Sequence, residues 1–132
     1  MSGSLSDFCE AQLLNQLFGG IPYSTPNILY FGYMVGTDAL PGAEPSGNGY
    51  ARVSVTNNTN NFPIATLGAK TNATEIDFGE ATGSQGTATF VQLFDAASGG
   101  NYLGSYALSA SQVISAGTIP AIPVGTLTIT LD

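Results

Sequence analysis

From Ile28 to the end, the chain never holds a helical hydrophobic period. Apolar residues come instead in short runs, about one every ten residues, broken by Gly, Pro, Asn and Ser. This predicts a mainly β domain of β-sandwich or jelly-roll type, with seven or eight short strands. Ile28–Val35 is apolar on both faces and reads as a buried strand. Gly36–Gly49, with Pro41 and Pro45, reads as a long loop. Tyr50–Val55 alternates, with Ala51, Val53 and Val55 on one face and Arg52 and Ser54 on the other. Asn57–Asn61 is a polar tip. Glu75–Phe78 is a short strand with Ile76 and Phe78 inward, and Gly79–Gly86 is a turn region. Thr87–Phe94 and Tyr102–Leu108 flank the hairpin signal Ser98-Gly99-Gly100-Asn101. Weaker strands are expected near Gln112–Ile114 and Thr118–Pro123, the latter at an edge because of its prolines. Leu127–Leu131 closes the chain, with Leu127, Ile129 and Leu131 inward.

The start is different. Ser4 or Ser6 can cap a helix over about residues 6–18, with Asp7 and Glu10 in its first turn, where negative charge suits the helix dipole. Leu13, Leu14, Leu17 and Phe18 fall at helical spacing, and Phe8 and Cys9 extend that face. Gly19-Gly20 stops the helix, and Pro22 and Pro26 keep the link extended. The expected organisation is one domain over 1–132: an N-terminal helical segment (1–20), a linker (21–27) and a β core (28–132).

Composition narrows the function. Of the 132 residues only 8% are charged, while 43% are hydrophobic. The polar surface must therefore be built from Ser, Thr, Asn and Gly, as on subunits of repetitive assemblies. The net charge is −7, with Arg52 and Lys70 the only basic side chains. Nucleic-acid binding needs Lys and Arg to displace counterions, so no nucleic-acid partner is expected; an anionic membrane is disfavoured for the same reason. The apolar runs are far shorter than the roughly 20 residues of a spanning helix, and no signal peptide is visible. Assembly in a host cytoplasm is expected.

No enzyme is expected either. The chain has no histidine, which removes the usual general base and the commonest metal ligand. Cys9, the single cysteine, reads as a small core residue. No cofactor motif is present. Glu75, Asp77 and Glu80 are the densest acids and weak Ca²⁺ or paired-carboxylate candidates, but an outward strand face explains them more simply. Asp38 and Glu44 could join a Ca²⁺ site, without Asp-x-Asp-x-Asp spacing to support it. Tyr30, Phe31 and Tyr33 could form a sugar platform but read better as core. Interface candidates are Leu13, Leu14, Leu17 and Phe18 on the helix, together with Tyr23, Tyr102, Tyr106 and Arg52. Arg52 pairs with a carboxylate either within the chain or across an interface. Asn57-Asn58-Thr59 and Asn72-Ala73-Thr74 fit the glycosylation pattern, relevant only on a secretory route.

Several blocks resemble a known group. The run Leu5-Ser6-Asp7 through Glu10, then Leu13 to Gly20, resembles the opening of short tailed-phage virion proteins often labelled tail-fibre or minor structural proteins. The resemblance continues in Tyr50-Ala51-Arg52-Val53, Phe78 to Ser84 and Phe94 to Asn101, and closes with Gly125 and Leu127 to Asp132. Relatives often carry Trp where this chain has Gln85, and a histidine near Phe90. The resemblance implies a virion protein, with no catalytic motif to carry over. Its place is read first as a capsid decoration or cement protein, bound to the major capsid protein or neighbouring virion proteins and stabilising the head. The alternative is a small tail-fibre, tail-tip or adhesin component that binds host glycans. A homo-oligomer is expected, with a trimer favoured, each copy burying about 800 Å² per partner.

Overall fold

The computed structural model describes residues 1–36 and 39–131. Its elements are β1 (Ser2–Leu5), α1 (Asp7–Leu17), β2 (Ile28–Val35), β3 (Val53–Thr56), β4 (Ala69–Thr71), β5 (Ile76–Asp77), β6 (Gly86–Phe94), β7 (Tyr102–Ile114), β8 (Ala121–Ile122) and β9 (Thr128–Thr130). The fold is mainly β, as expected. One antiparallel sheet has the order β1-β7-β6-β2-β3, and two ribbons, β4-β9 and β5-β8, accompany it.

The main core lies between the sheet and the ribbons. Phe31, Val91, Leu93 and Tyr106 from the sheet meet Ile76 of β5, Ile122 of β8 and Leu127 beside β9. Register explains the match. Phe31 lies opposite Leu93, and Val91 opposite Tyr106, so these side chains share one face. The other face of β2 and β6 is buried as well. Gly32, Met34 and Gln92 lie there beneath the long loop that follows β2. The buried Gln92 amide is satisfied by that loop: its Oε1 accepts from the Gly42 N–H at 2.7 Å, and its Nε2 donates to the Gly42 carbonyl at 3.3 Å. This two-sided burial accounts for the unbroken apolar run at Phe31–Met34, while Ile28 at the start of the strand is exposed.

Four expectations need correction. The first element is not the helix: β1 precedes it, pairing Ser2–Leu5 with Ala107–Gly104 of β7. Its Ser-Gly-Ser sequence carries no hydrophobic alternation, and it fits because Gly3 lacks a Cβ that would overlap the Ser105 carbonyl. Second, the strands expected over Tyr102–Leu108 and Gln112–Ile114 are one long strand. Third, Ala69–Thr71 is a strand that short polar runs hide. Fourth, Leu131 is exposed rather than inward.

The helix follows its sequence signals closely. The Ser6 side chain accepts from the Cys9 N–H at 3.1 Å as the N-cap. At the other end the Ile21 N–H donates to the Asn15 carbonyl at 3.0 Å across Gly19-Gly20, where Gly20 takes φ 66°. Inside β7 the ladder to β6 breaks. Ala107 pairs with Phe90 and Gln112 with Ala88, so Leu108–Ser111 oppose Thr89 alone. The β1 ladder ends at Ala107, and among the described residues no backbone hydrogen bond outside the ladders involves Leu108–Ser111. This bulge opens an apolar cleft between β7 and the segment around β8.

Candidate interaction surfaces

The residues singled out for chemistry take structural places. Arg52 turns inward. Its Nη2 sits 2.8 Å from Glu44 Oε2, with the side chains only 8% and 22% exposed. Its Nε also donates to Glu44, and its Nη1 donates to the carbonyls of Ala96 at 2.7 Å and Gly99 at 2.9 Å. The guanidinium lies 3.5 Å from the centroid of the Phe94 ring. Arg52 thus ties the long loop to the β6–β7 hairpin. Of the two expected pairings, the one seen is within the chain. The Tyr50 hydroxyl donates to Glu44 Oε1 and accepts from the Tyr33 N–H at 3.2 Å. Burial pushes the Glu44 carboxyl up. The hydrogen bonds from Arg52 and Tyr50, with the Arg52 charge, outweigh that and hold it below the usual carboxylate range.

Tyr33 and Phe31 are core residues, not a sugar platform. Burial pushes the Tyr33 phenol up to about 12. Tyr106 is buried, which removes it from the surface candidates; its hydroxyl has no hydrogen-bond partner among the described residues. Tyr102 is half-buried and packs against Phe94 with ring centroids 6.0 Å apart. Tyr23 is half-buried, and its N–H donates to Gln16 Oε1 at 3.2 Å.

Glu75, Asp77 and Glu80 are exposed, and Asp77 Oδ1 accepts from the Gly79 N–H at 2.7 Å, a turn contact. Among the described residues no group of three potential ligands is placed to hold a metal ion. Asp38 lies outside the described residues. Cys9 is half-buried, and burial with the nearby Glu10 charge pushes its thiol up, away from a reactive thiolate. Asn72 is buried and brackets two segments: its Oδ1 accepts from the Leu127 N–H at 3.0 Å while its Nδ2 donates to the Thr74 and Pro123 carbonyls. It is closed to glycosylation in the fold. Among the described residues no helix is long and apolar enough to cross a membrane.

Among the described residues, apolar surface stays open at the helix end and at a cleft beside β7, besides scattered side chains such as Ile64 and Leu67. On the helix Leu13 is half-buried, but Leu14 is 57%, Leu17 74% and Phe18 76% exposed, and Ile21 beyond it is 57% exposed. Leu14, Leu17 and Phe18 form one exposed group at the helix end, and Ile21 lies past the Gly19-Gly20 turn, outside the helical spacing. The β sandwich does not bury this group. The second surface is the cleft beside the β7 bulge, about 500 Å³ in volume, with Tyr33, Phe78, Val91 and Ile122 in its lining.

The structure is thus an antiparallel β domain in which Glu44, Arg52 and Asp77 make structural contacts while Glu75 and Glu80 face solvent. A family model described as "Podophage GP4 fiber I protein gp80" matches residues 4–130. The chain belongs to this family, and with it to the structural proteins of the tailed-phage virion. No curated protein matches the chain.

Proposed function

We propose that the protein is a building part of a phage fibre and acts by binding, without chemistry of its own. The family match over residues 4–130 carries this reading. It favours the fibre over the capsid shell, so the decoration or cement role gives way to the fibre role. The exposed Leu14, Leu17, Phe18 and Ile21 support a contact function, because burying apolar surface is the main source of association free energy. Its partners are neighbouring virion proteins, including further copies of the chain, and it acts without nucleic acid, membrane, metal or cofactor. Receptor glycans are a second class of partner for a fibre tip, reached through the exposed Asn57–Asn60 loop. Quantitative mass spectrometry of purified particles tests the location. The copy number is expected to follow that of the tail proteins. A copy number that follows the major capsid protein would support the decoration role instead.

A further inference from the structure

We infer that the helix end of one copy docks in the apolar cleft of a second copy, giving a head-to-tail contact. This deepens the fibre reading but rests on surfaces of the isolated chain, so the two can fail separately.

The two surfaces match in chemistry. The cleft has Tyr33, Phe78, Val91 and Ile122 in its lining and Ala110 and Ile119 at its rim. No charged side chain lines it. Of the helix acids, Glu10 lies one turn before Leu14 on the same face, while Leu17 and Phe18 lie a further turn on, at the far end of the helix from Asp7. Two chains of net charge −7 repel each other. The cleft lining holds no acid, so a contact led by Leu17 and Phe18 presses no carboxylate of the cleft against those of the helix.

Size fits too. Covering Leu14, Leu17, Phe18 and Ile21 removes about 500 Å² of apolar surface from water, more than half of the roughly 800 Å² each partner gives to a standard interface. The cleft, about 500 Å³, has room for the tip of that group, led by Phe18. One copy does not fill its own cleft: Phe18 is exposed and is not among the cleft lining. The helix starts against the early part of β7, where the Ser6 N–H donates to the Leu103 carbonyl at 2.8 Å, whereas the cleft lies along Leu108–Ile114. A knob and a complementary pocket at different places on one chain make a heterologous contact, which propagates as a filament unless its rotation closes a ring.

Sedimentation of the purified chain over a concentration series tests this. Wild type is expected to form concentration-dependent species larger than a dimer. A Leu17→Asp/Phe18→Asp variant and an Ile119→Asp variant should each weaken association by about thirtyfold or more, as for a central hot-spot residue. All three positions are exposed, and circular dichroism verifies folding; Ala110→Asp replaces Ile119→Asp if that variant unfolds. An equimolar mixture of helix and cleft variants should form a dimer and nothing larger, since one keeps a working cleft and the other a working helix end. A wild type that stays monomeric at every concentration would overturn the inference. So would a dimer that the mixture cannot restore, which indicates a symmetric contact. Sensitivity to the cleft variant alone would also overturn it, pointing to an added strand along the unpaired Leu108–Ser111 segment.

Discussion

Replacing Arg52 with alanine is expected to cost about 3–5 kcal/mol, the range for stripping one partner from a buried ion pair. In a chain of this size that lowers the melting temperature by about 10 °C or more. Three losses add up. The Glu44 carboxylate keeps its burial without its cation. The Ala96 and Gly99 carbonyls lose their donor, and Phe94 loses the guanidinium over its ring. Arg52→Lys should recover only part of this, because an ammonium cannot serve Glu44 and the hairpin carbonyls with one planar fork. Gly32→Ala tests the same cluster from beneath, since a Cβ there would overlap the Tyr50 hydroxyl and Glu44 Oε1. The pair also sets an acid limit. Glu44 has a lowered pKa in the fold, so its contribution is fully present above about pH 4.3, the unfolded value, and is lost as the pH falls through the folded value. Thermal melts from pH 7 to pH 3 should show wild type losing stability in that window and Arg52→Ala losing much less.

The second large effect is in the core. Phe31→Ala is expected to cost about 3–5 kcal/mol, read from chemical denaturation. Phe31 is fully buried and central in the sheet, opposite Leu93 on β6 and Val53 on β3, with Phe62 stacked at 6.3 Å. The cavity it leaves is walled by strands on two sides and cannot collapse cheaply. Truncating Phe18 in the same assay should cost little, because that residue is largely exposed.

Local signals carried the reading of this fold wherever one segment decides its own state. The Ser6 cap, the Gly19-Gly20 stop and the Ser98–Asn101 hairpin were all legible, because capping and turn chemistry act within a few residues. The buried strand Ile28–Val35 was legible from its continuous apolar run. What escaped depends on partners distant in sequence. β1 is a strand only because Gly3 can approach Ser105. The long loop reads as open, yet through Gly42 and Glu44 it covers a sheet face. Tyr106 looked like a surface tyrosine because its position in β7 is inward only in the register set by β6. The candidate surface was half legible. Helical spacing identified Leu14, Leu17 and Phe18, but only the fold shows that the chain's own core leaves them uncovered. The cleft had no sequence signal, since it is made by a break between two ladders of one strand.

The central claim is that this chain is a fibre part that works through contact. Gold-conjugated antibody raised against the exposed Asn57–Asn60 loop, applied to intact particles and viewed by electron microscopy, tests it most directly. Label confined to fibres at the tail is the predicted result, and label spread over the head shell would contradict it.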